Sequence, residues 1–521
     1  MRIDKIDLGE TKRFSPIFLD YINQDEKLAP FYNRFPTLEN FGDQINEKSF
    51  DQEKRQTLNK VLEEQYQNIE IKPAAQKSIQ LLQEANTYTV TTGHQLNIFT
   101  GPFFFIFKLV TTINLAKALK KRYPDKNFIP VYWSATEDHD FEEIKSFNLF
   151  GKNYKWDSNQ KGAVGRFSTQ SIKTLLNDLP EEFDTFTKAY TQHGNLADAV
   201  RCYVNELFGE QGLIMIDGDH PKLKASFIDY IIDDMESLEN TETITNTSEM
   251  LMQNGYKAQV FPRDINLFYL KDDTRERIVR RAEKDYHALH TDFSLCPDDM
   301  PDYVRKHPEE FSPNVILRPL YQEVILPNLA YLGGPGELAY WMQLKGLFDR
   351  HSIPFPILVP RNYGLYVNKN ISRKIDKLNI DIQEFFKPTF ELKRDFSQKN
   401  ADILFDIETE KSGILELLSS IKSKAGKIDK SLEGTLGAEE KKWLKSFEMI
   451  EKKAQKAEER KQDTELKQLE NIQDKLFPEG SLQERHDCYL NFTHSNPQLI
   501  ESLLESFDPF EFKFYIFSEN E

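Results

Sequence analysis

The chain has 521 residues, enough for more than one domain and a large core, and its 39% hydrophobic and 12% aromatic content argues against disorder. A formal net charge of −17 disfavours nucleic acid or an anionic membrane surface as the main partner. Three well-separated cysteines, Cys202, Cys296 and Cys488, form no CxxC pair, which argues against a disulfide scaffold and a cysteine-rich zinc site.

Residues 1–86 read as mostly helical, with charged amphipathic stretches at 51–68 and 77–85. The first eight residues are charged throughout, so no secretory leader is expected. The apolar run 98–110 is interrupted by Gly101-Pro102 and Lys108, too short to span a bilayer. A cytoplasmic protein without a membrane partner is the expectation.

The run 88–92, Tyr-Thr-Val-Thr-Thr, has strand character, and the chain then turns at Gly93 and presents His94 and Gln95. A second turn at Gly101-Pro102 and an apolar run from Phe103 predict a helix. Strand, glycine turn, polar pair and helix place polar groups at the mouth of an α/β sheet, where phosphate or carboxylate is favoured. A lone histidine in such a turn is often structural, so a second polar cluster matters. Residues 128–133 read as a buried strand running directly into Glu137, Asp138, His139 and Asp140. An N-cap with an acidic first turn accounts for Asp138 and Asp140 but leaves His139 unexplained. No second histidine sits at metal-ligand spacing, so no metal ligands are assigned.

Residues 151–165 are polar and turn-rich, a hinge into an insertion spanning roughly 151–310. Within it, 212–217 reads as a strand, Asp217, Asp219 and His220 as a solvated turn, and 275–281 as a solvated basic helix face. Further on, Gly333-Gly334-Pro335-Gly336 is a backbone-exposing loop between an apolar strand, 326–332, and a helix opening at Glu337. It matches neither a P-loop nor the dinucleotide fingerprint. From about residue 370, Lys and Glu dominate. Trp443, Phe447, Ile450, Ala454 and Ala457 alternate spacings of four and three, a coiled-coil seam whose phase slips near 461–464 and resumes at Leu469, Ile472 and Leu476. A returning helix within 414–432, or a second subunit, must cover it.

The motifs GHQxxxFTGP, PVxWxAxEDHD, SPNVxLRPLxQExxLP and AYxGGPGExAYWxQ appear in order. With them come Gly255-Tyr256, Gln259, Pro262-Arg263, Asn266-Leu267-Phe268, Pro360-Arg361 and the 478–485 segment. Across essentially the whole chain they closely resemble the cysteine ligase family of bacillithiol biosynthesis. The Gly93-His94 pair also loosely resembles the histidine signature of class I nucleotidylyl transferases. The family resemblance implies an α/β fold: a Rossmann-like parallel-sheet core with connecting-peptide insertions and an α-helical coiled-coil arm. It places the core at 1–370, the arm at 371–476 and a segment returning to the core at 477–521. The implied partners are cysteine, glucosaminyl malate and a second copy of the chain, bound through the arm as a homodimer. The implied reaction joins cysteine to the amino group of glucosaminyl malate.

Amide formation from a carboxylate in water needs activation, so ATP, with Mg2+, is the expected co-substrate. No KMSKS-type loop accompanies it, since Lys422-Ser423-Lys424 falls in the arm. On this reading His94, Asp138 and His139 are catalytic. Gly93, Gln95, Glu137, Asp140, Gly333, Gly334, Gly336 and Glu337 bind substrate or nucleotide. The alternative is a non-catalytic dimeric scaffold for a thiol precursor, disfavoured because three polar clusters end candidate strands.

Overall fold

Five parallel strands in the order Ile357–Pro360, Asn328–Gly333, Thr87–His94, Asn127–Ser134, Ile214–Asp217 form the central sheet. They belong to a computed structural model that describes residues 1–281, 285–401 and 405–519. The strands are almost wholly buried, as expected of a parallel sheet covered on both faces. Helix Phe104–Arg122, apolar through most of its length and closed by Lys120, Lys121 and Arg122 in its last turn, packs on the two middle strands. The strand order reverses between Thr87–His94 and Asn328–Gly333, the switch point where open α/β sheets bind ligands.

A buried polar network fixes this junction. The hydroxyls of Thr89 and Thr91 donate to Asn328 Oδ1 at 3.1 and 2.8 Å. Asn328 Nδ2 donates to Glu323 Oε1 at 2.6 Å, and Lys48 Nζ lies 3.2 Å from Glu323 Oε2.

The stretch 151–310 is not insertion throughout, because Ile214–Asp217 completes the central sheet beside Asn127–Ser134. A separate antiparallel sheet runs Ser294–Leu295, Asp285–Ala288, Thr274–Arg281, Leu267–Lys271, Phe311–Pro313. The basic run 275–281 is therefore a strand, not a solvated helix face. A two-residue turn with Asp272 at φ +50° closes the hairpin with Leu267–Lys271, and Ile278 faces inward. In the N-terminal stretch, helices Leu38–Glu47, Gln52–Tyr66 and Pro73–Leu81 form as expected, the second capped by Asp51. No described helix is long and apolar enough to cross a membrane.

The chain divides into two compact units, the larger being Ile3–Leu365 with Gln483–Ile516. The smaller comprises Met1–Arg2, Tyr366–Leu482 and Phe517–Glu521 and is largely helical. In it, Glu408–Gly426 packs along Ser431–Lys461, on which Phe447 is buried while Trp443 and Ile450 stay 45% and 43% exposed. The phase slip corresponds to a break at Gln462. Beyond it Leu469, Ile472 and Leu476 are buried on the Asp463–Leu476 helix, which packs against Lys369–Leu378 and Thr389–Lys399.

Lys48 and Glu323 expose only 2% and 0% of their side chains, so removing one charge strands the other. Lys48→Met should lower stability by ~3–5 kcal/mol in urea unfolding, and adding Glu323→Gln should recover much of it. A loss below ~1 kcal/mol would mean that Glu323, whose carboxyl burial pushes up, is held protonated.

Candidate active site

A cavity of about 550 Å³ opens beyond the carboxyl ends of the strands at the switch point. Gly93, His94, Gln95, Glu137, Asp138, His139 and Glu337 line it, whereas Asp140, Gly333, Gly334 and Gly336 do not. Asp140 instead caps helix Phe141–Ile144, accepting the Glu143 N–H at 3.3 Å.

His94 ends its strand with the ring stacked on Phe104 (centroids 5.1 Å apart) and edge-on to Phe105 at 5.0 Å. Its Nδ1 accepts the Gln95 N–H at 2.7 Å, which puts the proton of the neutral ring on Nε2. Nε2 is buried and has no hydrogen-bond partner among the described residues. Burial, and after it the nearby cations Lys108 and Arg361, hold its pKa well below the usual histidine value. His94 is thus a neutral ring with an unmatched donor. The anion seat expected at the following helix mouth is not free, because the Phe103 N–H already donates to the Asp487 carbonyl at 2.8 Å.

Also lining the cavity, Asp138 accepts the His139 N–H at Oδ1 at 2.7 Å, and Gln95 Nε2 donates to its Oδ2. Arg275 Nη1 lies 2.8 Å from His139 Nδ1 and 3.7 Å from Asp138 Oδ1, with its guanidinium 4.0 Å above the Phe268 ring. Burial opposes ionisation of Asp138, but His139, Arg275 and Gln95 outweigh it and leave the carboxyl well below the usual range. An ionised Asp138 can orient a donor but is a weak base.

Glu137 sits deeper, 2.7 Å from the buried Lys224 Nζ, which also reaches Asp219 Oδ1 at 3.0 Å. Asp219 pairs further with Arg166 at 2.7 Å, and Thr136 donates to Asp217. Asp217 and Asp219 therefore do not form a solvated turn; their carboxylates belong to an enclosed network behind the 135–138 turn. His220 caps Pro221–Ala225.

The glycine loop does not offer its backbone as expected. The Gly334 N–H donates to Glu337 Oε2 at 2.9 Å, and Gly333 O accepts the Arg361 N–H. What reaches the cavity is Glu337 itself, held by Lys108 Nζ at 2.6 Å and Tyr331 OH at 2.7 Å.

Lys108, Arg275, Arg318, Tyr331 and Tyr340 also line the cavity, although sequence reasoning did not single them out. Lys108 lies inside a run read only as apolar, and Arg275 inside one read as a solvated face. Arg318 and Tyr340 fall within the SPNVxLRPL and AYWxQ motifs, where a polar side chain amid apolar neighbours was the available signal.

The family model for "Bacillithiol biosynthesis BshC, N-terminal Rossmann-like domain" matches residues 1–362, and that for the corresponding "C-terminal coiled-coil domain" matches 364–519. A protein of Christiangramia forsetii named "Putative cysteine ligase BshC" is 42% identical over 528 residues, covering 98% of both chains. A namesake from Flavobacterium johnsoniae is 41% identical over 99% of both, and one from Chlorobaculum tepidum 28% over 94%.

A histidine whose folded pKa is depressed leaves the folded protein short of a proton that the unfolded chain binds below about pH 6.5. Its contribution therefore weakens stability as pH falls from about 6.5. His94→Gln should flatten that acid slope, so the stability gap to wild type in urea unfolding should narrow between about pH 7.5 and about pH 5.5. An equal gap at both values would mean that His94 protonates freely in the folded protein.

Proposed function

The chain belongs to the BshC family of bacillithiol biosynthesis, and from that membership we propose that it is an amide-forming cysteine ligase. It joins the carboxyl of cysteine to the amino group of glucosaminyl malate. The observation that supports this reading most directly is that His94, whose buried Nε2 donor is unmatched among the described residues, lines the same cavity as the ionised Asp138 and His139. A scaffold would need neither.

Attack of an amine on a carboxyl activated by phosphate forms the C–N bond, builds negative charge on the carbonyl oxygen and releases a proton from nitrogen; collapse then breaks the C–O bond to the activating group, which leaves as phosphate or nucleotide. His94 Nε2–H, neutral and fixed by its bond from Gln95 and its aromatic packing, is the donor suited to the developing oxyanion. Asp138 orients the amine by accepting one of its N–H bonds. His139 Nδ1, held by Arg275 in the free protein, takes the proton as the amine displaces that contact. The phenylalanine-rich wall from Phe104 and Phe268 keeps water from competing for the activated carboxyl.

ATP supplies the activation in this proposal. Arg263 and Arg275, on the cavity wall, are the guanidinium groups that fit phosphate oxygens. Among the described residues no three His, Cys, Asp or Glu side chains converge to hold a metal, so Mg2+ would enter with the phosphates. We also propose a homodimer through the arm, because Trp443 and Ile450 leave a partly uncovered seam.

Purified protein given cysteine, glucosaminyl malate and ATP should form the amide, detected by mass spectrometry. His94→Asn and Asp138→Asn should each slow it by at least ~100-fold with little change in Tm. No product from wild type, with fresh substrates and ATP, would overturn the reading.

Ile450→Glu should halve the mass seen by light scattering by placing charge in an apolar seam. An unchanged dimer mass would place the dimer interface elsewhere, and a monomeric wild type would overturn the dimer.

A further inference from the structure

Most enclosed cations around the cavity are matched. Lys108 pairs with Glu337 at 2.6 Å, Arg361 with Glu484 at 2.5 Å and Lys224 with Glu137 at 2.7 Å, while Arg275 faces Asp138 at 3.7 Å. Arg318 differs. Among the described residues it makes no ion pair, and its hydrogen bonds go to neutral oxygens: Gln322 Oε1 at 3.1 Å and Tyr340 OH at 3.4 Å. The Glu337 oxygens nearby are already taken by Lys108, Tyr331 and the Gly334 N–H.

The surroundings of Arg318 restrain its head group. Its guanidinium carbon lies 5.8, 5.6 and 5.9 Å from the ring centres of Trp133, Tyr331 and Trp341. Gly93 leaves the approach open, since a Cβ there would stand 3.8 Å from Arg318 Nη1 and 3.1 Å from Tyr331 OH. His94, with its own unmatched Nε2, is the next residue. A largely enclosed guanidinium with unused N–H donors is costly until an anion meets it, and its planar fork suits a carboxylate bound through both oxygens.

We propose that Arg318 receives a carboxylate of a substrate as a two-pronged ion pair and so sets the preference of the site for carboxylates over neutral isosteres. The planar fork matches the two oxygens of one carboxylate, which is why a carboxylate is assigned here rather than a polyphosphate. Which carboxylate it is, that of the amino acid or one on the malate moiety, rests on the ligase reading above. The presence of an anion receptor does not.

Calorimetric titration of the full chain with cysteine, L-malate, the diamide of malate and inorganic phosphate tests this without turnover. Wild type should bind cysteine or malate and discriminate against the diamide or phosphate, and the tighter of the two carboxylates identifies the source. Arg318→Gln should weaken that ligand by roughly 10- to 100-fold and abolish the discrimination. Arg318→Lys, which keeps the charge but not the fork, should fall between. Unchanged carboxylate affinity in folded Arg318→Gln would overturn the proposal, as would a wild type that binds phosphate better than either carboxylate. If Arg318→Gln does not fold, Arg318→Lys decides: affinity equal to wild type overturns it, and an intermediate loss supports it. A chain that forms no amide yet shows this Arg318-dependent binding would defeat the ligase reading alone.

Discussion

One buried asparagine holds the site together. Asn328 accepts from Thr89 and Thr91, which lie more than two hundred residues earlier in the chain, and donates to Glu323. In a parallel sheet a slip of one residue would turn every side chain to the opposite face, and an unmatched amide buried here would cost more than the slip could return. The network therefore fixes the register of the two strands on either side of the switch point. From that register follow the position of Gly93 and His94 at one strand end and of Tyr331 and Gly333 at its neighbour. The ladder between the two strands is irregular between Asn328 and Ala330 and regular from there to Leu332.

The second consequence is electrostatic. A cavity walled by Phe104, Trp133 and Phe268 screens charge poorly, so each ionised group inside it needs a partner or a purpose. Lys108 with Glu337 and Lys224 with Glu137 and Asp219 meet the first condition. Burial is the main reason His94 stays neutral, since it removes the solvent that would support a charge, and the nearby cations Lys108 and Arg361 further disfavour a positive ring. A neutral donor in such a place makes no prior ion pair that must be broken when charge develops nearby. Asp138 is the opposite case, held ionised by donors on several sides, and so it serves orientation better than proton transfer. His94 and Asp138 thus carry different charge states within one cavity, each set by its neighbours.

What was legible in the sequence follows from the same physics. The strand at 128–133 read clearly because parallel strands buried on both faces are largely apolar, and that at 88–92 because its residues are β-branched or aromatic; the polar residues that follow them mark the carboxyl ends. The strand at 275–281 did not, since five charged side chains hide a period of two in which only Ile278 turns fully inward. Asp219 looked like part of a solvated turn because its partner Arg166 comes from a short 3-10 helix 53 residues earlier, which the sequence does not place beside it. The glycine loop looked like a substrate cradle because spacing does not reveal that Glu337 turns back to cap its own helix. Local signals gave the elements; long-range charge pairing decided the roles.

The arm shows the limit from another direction. Its heptad-like spacing announced a seam, and Phe447 is buried on Ser431–Lys461, which packs against Glu408–Gly426 of the same chain. Yet the flanking Trp443 and Ile450, a turn away on either side, remain nearly half exposed. A two-helix hairpin presents one line of contact, whereas the apolar positions here extend beyond the width one neighbour can cover. Spacing can establish that a stripe is apolar, but the number of helices needed to bury it depends on its angular breadth. That breadth is visible only once the first partner is in place and the residues it leaves uncovered can be identified.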